Sequence, residues 1–225
     1  MELDWLEHFV DGWNDRIKHR RIPHAVLLAG PQGIGKRAAA RWVAARTLGI
    51  ETAALPVHPG AIPEHADLHW LAPLEDKESI GIDQVRELVN EMTLTSYEGG
   101  SKVAVIEPAN AMTVSAANSL LKTLEEPPGD ALLILVADRV GKLPATIFSR
   151  CQRIDLAPPP ESRALAWLDR LQPGTSWSEA LRAAGGAPLG AIGALEDLET
   201  GAGMARDLNA LGRGSGSVIE VAARW

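Results

Sequence analysis

Gly30-Pro31-Gln32-Gly33-Ile34-Gly35-Lys36-Arg37 sets glycines and a lysine at the spacing of a phosphate-binding loop, G-x-x-x-x-G-K-[ST]. In such a loop the backbone N–H groups converge on phosphate oxygens at a helix N-terminus, and the lysine reaches the β and γ phosphates. Gly30, Gly33, Gly35 and Lys36 are therefore the candidate phosphate cradle. The last position departs from the pattern. A Ser or Thr hydroxyl there ligates Mg²⁺, whereas Arg37 cannot ligate a metal and stays charged at every relevant pH. A second departure lies in the run Val103-Ala104-Val105-Ile106-Glu107-Pro108. An ATPase would end such a run in Asp-Glu, the first acid touching the metal and the second orienting water. Glu107 is one methylene longer than Asp, and Pro108 carries no proton acceptor. The expectation is a loop that retains an anion-binding shape while metal-assisted phosphoryl transfer is impaired. Binding of ATP or ADP stays open at this point.

Two further constellations carry possible chemistry. Arg150, in Pro144-Ala145-Thr146-Ile147-Phe148-Ser149-Arg150-Cys151, sits on a short element after an apolar strand. An arginine so placed can point toward a neighbour, but spacing alone favours a plain surface arginine. His58, His65 and His69, with Asp67, have histidines at metal-ligand spacing. No cysteine accompanies them, and Asp67-Leu68-His69-Trp70 reads as the start of a strand, so no metal is expected. Two basic clusters, Lys18-His19-Arg20-Arg21 and the set Lys36, Arg37, Arg41 and Arg46, read as solvated helix faces.

The elements that must position these residues follow from periodicity. Leu6, Phe9, Val10, Trp13 and Ile17 mark a helix over 5–18. Apolar runs predict strands at Ala25–Ala29, His69–Ala72, Lys102–Glu107 and Ala131–Ala137, with an edge strand at Gln152–Leu156. Between them lie helices from Lys36 to about Leu48, Ile82–Met92 and Ser115–Glu125, and a short one at Ala145–Arg150; residues 51–68 read as irregular. Strands apolar on both faces and alternating with helices define an α/β fold with a parallel sheet. At Pro158-Pro159-Pro160 the texture changes to Ala- and Leu-rich helical pieces, broken at Gly185-Gly186 and at residues 212–216. The expected organisation is a nucleotide-binding-like core over 1–157 and a small all-helical lid over 158–225.

Bulk properties exclude several classes. With 46% apolar and 23% charged residues the chain is an ordinary globular one, and its net charge of −7 argues against direct DNA coating as the main role. One cysteine allows no internal disulfide and suits a reducing cytoplasm. The acidic N-terminus is no signal peptide, and no apolar run reaches membrane-spanning length.

Several stretches together resemble the delta-prime family of bacterial DNA polymerase III clamp-loader subunits, within the AAA+ superfamily. They are Pro23 to Leu28, Gly30 to Lys36, Gly99 to Ile106, Ala116-Ala117-Asn118-Ser119-Leu120-Leu121-Lys122-Thr123-Leu124-Glu125-Glu126-Pro127-Pro128, and Leu143 to Gln152. The resemblance covers residues 1 to about 157 and continues more loosely through Gly185 to Leu189. It implies an AAA+ core with a helical lid, and a stator role in a five-subunit ring that opens a sliding clamp and places it on primed DNA. It also implies that Arg150 acts in trans on the ATP site of an adjacent motor subunit, with Ser149 setting its geometry. The implied partners are the motor ATPase subunits, delta, and the clamp and DNA through the complex.

The departures from the family's motors fit a stator: Arg37, Pro108, Asp138 near the first-sensor position and Leu189 at the second-sensor position. Glu107 is then a degenerate metal-site acid, no intrinsic ATPase is expected, and no cofactor is required. The four-cysteine zinc module of many relatives has no counterpart in 49–68, so no zinc is expected. Relatives also continue into a helical collar domain that would begin about where this chain ends, at Trp225. The main rival is a motor-type clamp-loader ATPase, which requires Mg²⁺-dependent turnover. A pure binding module and a direct DNA binder are the others.

Overall fold

The computed structural model describes residues 1–138, 141, 143–213 and 221. Contacts divide the chain into two units, Met1–Pro158 and Pro159–Trp225.

The first unit begins with a single 3-10 turn and helix α1 (Glu7–Lys18). Five strands follow: β1 (Ala25–Ala29), β2 (Leu68–Leu71), β3 (Lys102–Ile106), β4 (Ala131–Ala137) and β5 (Gln152–Asp155). Helices α2 (Lys36–Thr47), α3 (Ile82–Thr93), α4 (Val114–Glu125) and the one-turn α5 (Ala145–Phe148) connect them. All strand pairs are parallel, in the order β2-β3-β4-β1-β5. The α/β class and parallel sheet are as the sequence predicts.

The three inner strands are buried along their whole length, which is why they read as continuous apolar runs. Side chains alternate between the faces of a strand. Leu27, Ala104, Ile106, Leu133 and Leu135 therefore share one face, packed against Val85 and Leu88 of α3 and Leu120 and Leu124 of α4. Edge strand β5 is mostly exposed, so little apolar patterning marks it. Strand β2 runs one residue earlier than expected. Its bounds are set by the register Leu68↔Val103 to Leu71↔Ile106, and Ala72 lies beyond it, its carbonyl accepting from Gln84.

Local chemistry fixes the helices that carry functional side chains. Helix α2 starts from Gly35 in the left-handed region (φ +99°). Helix α4 is N-capped by Thr113, whose Oγ1 accepts the Ala116 N–H at 3.2 Å, and Pro127-Pro128 bars its continuation just beyond Glu125. Between β2 and β3, Asp67 closes the turn at 96–98. It accepts from Ser96 Oγ (2.9 Å), Tyr97 N (3.0 Å) and Glu98 N (3.2 Å). Burial alone would raise its pKa, but these donors and the Lys102 charge outweigh it and hold the carboxyl below the usual range.

The basic face expected on α2 is not a solvated one. Arg37 and Arg46 are exposed, but Lys36 and Arg41 are buried. Arg41 Nη2 donates to the Val57 carbonyl at 2.6 Å, and its guanidinium lies where a Cβ on residue 60 would fall, so Gly60 makes room for it. The other basic cluster, residues 18–21, is exposed as expected.

The second unit is helical among its described residues: α6 (Glu161–Leu171), α7 (Trp177–Ala183) and α8 (Pro188–Gly212). Trp167, Leu168, Trp177 and Leu181 form its buried interior. Gly185 and Gly186, both at positive φ, separate α7 from α8, and Leu189 is the second residue of α8. Of the second expected break, residues 214–216 lie outside the described residues.

Candidate functional site: a self-neutralised phosphate loop and an outward arginine

Strand β1 delivers the glycine-rich loop to the C-terminal edge of the sheet, where open α/β folds place their ligands. Two of its glycines are held by their surroundings, Gly30 by the backbone packed against it and Gly35 by its φ of +99°. A Cβ on Gly30 would stand 2.2 Å from the Leu156 carbonyl oxygen, and one on Gly35 would stand 2.7 Å from Leu3 Cδ1. The N-terminal segment covers the loop further through Trp5, whose Nε1 donates to the Ile34 carbonyl at 2.9 Å. Gly33 also has positive φ, +78°.

Lys36 heads α2 and is only 5% exposed. Its ammonium contacts Asp138 Oδ1 at 2.6 Å and donates to the carbonyls of Gly30 (2.8 Å) and Pro31 (2.5 Å). An ammonium has three hydrogens, so all three are taken by the chain itself. Asp138 follows β4 and is held by its own backbone N–H, which donates to Asn110 Oδ1 at 3.1 Å. A carboxylate thus occupies the place where a phosphate would meet the loop lysine.

A second ion pair lies alongside. Arg37 Nε is 3.4 Å from Glu107 Oε2, and the Arg37 guanidinium sits over the Trp70 ring at 5.9 Å. Burial pushes the Glu107 carboxyl above its ordinary value, and the Arg37 charge partly offsets this. Two cations on the loop and helix therefore meet two carboxylates from the ends of β3 and β4. The arrangement does not fit a magnesium–nucleotide complex. The lysine is saturated, the hydroxyl ligand is an arginine, and the acid after β3 is paired to that arginine. Among the described residues no group of three or more His, Cys, Asp or Glu could hold a metal ion. His65 is engaged with the Asp67 N–H (3.0 Å) and Glu98 (3.3 Å).

Arg150 and Ser149 form a separate cluster just past α5. Arg150 Nε donates to Glu125 Oε1 at 2.8 Å, and Nη2 donates to the same oxygen. Nη1 donates to the Thr146 carbonyl (3.0 Å) and to Ser149 Oγ (3.3 Å). The next residue, Cys151, packs against the core, and burial pushes its thiol up to about 11. At pH 8 roughly one molecule in a thousand carries the thiolate. A disulfide reagent such as DTNB is therefore expected to label the folded chain roughly a hundredfold more slowly than the urea-unfolded chain. Equal rates would show an exposed, ordinary thiol.

Sequence reasoning found Gly30, Gly33, Gly35, Lys36 and Glu107 as one loop-and-strand site, and these residues lie together. It missed Asn110 as the residue holding Asp138, and Glu125 as the partner of Arg150. The second was accessible in principle: two adjacent carboxylates at a helix C-terminus are disfavoured by the helix dipole and call for a cation nearby.

The fold is a parallel α/β sheet carrying a glycine- and lysine-bearing loop at its C-terminal edge, followed in the chain by a unit that is helical among its described residues. A family model described as DNA polymerase III, delta subunit, matches residues 5–160. The DNA polymerase III subunit delta' of Pseudomonas aeruginosa is 42% identical over 191 residues, covering 79% of this chain and 57% of that protein. The subunit delta' of Escherichia coli K12 is 43% identical over 106 residues, covering 47% of this chain and 32% of that protein. The chain belongs to the DNA polymerase III delta-prime family. It spans about half the length, or less, of these curated relatives. Among solved structures, a DNA polymerase III gamma subunit-related protein from Thermotoga maritima superposes with a TM-score of 0.55 at 23% identity, over 80% of this chain and 53% of that one, which is a likeness of fold. Among the described residues no helix is long and apolar enough to cross a membrane.

Proposed function

We propose that this chain acts in the cytoplasm as a non-motor, stator-like subunit of a DNA polymerase III clamp loader. In this reading it hydrolyses no ATP and requires neither nucleotide nor zinc. It assembles with motor ATPase subunits and delta, and it presents Arg150, steadied by Ser149, to the ATP site of one neighbour. The complex, rather than this chain alone, engages the sliding clamp and primed DNA. The single observation that carries the non-motor reading is the saturation of Lys36 by Asp138, Gly30 and Pro31. Nucleotide must displace the partly exposed Asp138 carboxylate from the buried Lys36 ammonium before it can reach the lysine, and no hydroxyl waits to hold its metal. Family membership supports the loader context.

Calorimetric titration with ATP, with and without Mg²⁺, beside a turnover assay on the same sample, tests the reading. The expected result is no turnover, and binding that is either absent or indifferent to Mg²⁺. Tight Mg²⁺-dependent binding with turnover would establish the motor alternative instead.

A further inference from the structure

We propose that Glu125 is a positioning residue that holds Arg150 in the free chain and surrenders it to phosphate when a nucleotide-bearing neighbour docks. This rests on the reading of Arg150 as the arginine that acts in trans. A guanidinium has five N–H donors. In the structure the Nε hydrogen and one on Nη2 go to Glu125 Oε1, while the two on Nη1 serve the Thr146 carbonyl and Ser149 Oγ. The Nε–Nη2 edge is one that grips two oxygens of a phosphate in parallel, and here a carboxylate occupies it. Four of the five donors are thus turned onto the chain's own acceptors. Reaching a phosphate requires an exchange of partners.

The local electrostatics explain both the holding and the release. Glu125 is the last residue of α4 and is followed by Glu126, and Arg150 lies just past α5. Carboxylates and unpaired carbonyls at helix C-termini create a negative site that draws in a cation. The pair is nonetheless open to solvent, with Arg150 32% and Glu125 50% exposed in their side chains. Exposed ion pairs are weak, so a polyphosphate carrying more charge displaces the carboxylate readily. Glu125 keeps the arginine ordered and satisfied until that exchange, and competes modestly with it.

The test uses a loader reconstituted with the full-length chain carrying Glu125→Gln, Glu125→Asp, Arg150→Ala or the Glu125→Gln/Arg150→Ala pair. DNA-stimulated hydrolysis is measured for KM and kcat. On the free chain, the rate at which phenylglyoxal modifies Arg150 is followed by peptide mass spectrometry. Glu125→Gln is expected to lower KM for ATP roughly two- to fivefold with kcat little changed, and to speed modification by a similar factor. Glu125→Asp restores the parent values, and the double variant behaves as Arg150→Ala alone. If Arg150→Ala slows turnover but Glu125→Gln moves neither KM nor the modification rate, the holding role is overturned and the trans-acting arginine stands. If Arg150→Ala leaves turnover untouched, the trans-acting reading itself fails, and the holding role with it.

Discussion

If Arg150 acts in trans as proposed, replacing it by alanine slows hydrolysis at the neighbouring ATP site by roughly 10³-fold or more, the range typical of arginines supplied in trans. The physical reason is charge. A transferring phosphoryl group spreads negative charge over its oxygens, and a guanidinium aimed at them stabilises that charge without reorganising. DNA-stimulated turnover of the whole loader should fall less steeply than hydrolysis at that single site, because the proposal assigns Arg150 to one site only. Assembly should survive, since the Arg150 side chain is partly exposed and its bonds are to one carboxylate, one hydroxyl and one carbonyl. Arg150→Lys should not rescue the rate. A lysine supplies the charge but not the planar fork. Single-turnover hydrolysis by the reconstituted loader, with gel filtration as the assembly check, makes the measurement. Unchanged turnover in Arg150→Ala would remove the assignment.

The second large effect concerns Lys36 and runs opposite to experience with working phosphate loops. In a working phosphate loop the lysine reaches the β and γ phosphates, so its loss falls on nucleotide binding. Here Lys36→Met is expected to lower stability by about 3 kcal/mol, the low end for breaking a buried ion pair because Asp138 keeps some solvent contact. For a chain of this size that corresponds to a fall in Tm of about 6–12 °C. The loss has three parts: Asp138 is left unpaired, and the Gly30 and Pro31 carbonyls lose their donor. Asp138→Asn is the companion variant. It keeps an acceptor for Lys36 but removes the competing charge, so it should be the milder change in stability and the one that gains affinity for ATP. Thermal melts and calorimetric titration on both variants decide the matter. A Lys36→Met chain that melts normally and merely loses ATP binding would mean that the loop still works as a nucleotide cradle.

Much of the fold was legible because the inner strands are buried on both faces. Ala25–Ala29 and Ala131–Ala137 could be read to the residue, since each is an apolar run too short for a helix and bounded by residues that break it, His24 and Gly30 or Asp130 and Asp138. Strand β2 was harder. It is short and partly exposed, and its ends are decided by its pairing with β3 rather than by its own residues. The face of α2 was misread for a related reason. Arg41 Nη2 donates to the Val57 carbonyl, a backbone group in an irregular segment, and no pattern in the helix itself announces such a partner.

The site divided in the same way. The glycine–lysine loop is a local pattern and could be found. That Asp138 would oppose a phosphate could be inferred from its type. That it bonds Lys36 could not, because the two residues are separated by about a hundred positions and meet only once β1 and β4 pair. Glu125 and Arg150 are likewise brought together by the packing of α4 and α5, although each lies in a stretch that the family resemblance had already marked.

The packing around Gly30 and Gly35 bears on how such sequences change over time. Leu156 fills the space a side chain would need at Gly30, and Gly35 sits at a positive φ with Leu3 against it, so substitutions at these two positions are filtered by folding before any ligand is consulted. The glycine signature can therefore persist in a lineage that no longer handles nucleotide, while the neighbouring hydroxyl and acid positions drift freely. In such a lineage the informative positions for sorting working from silent copies are Arg37, Pro108 and Asp138, and Gly30 and Gly35 carry almost no information.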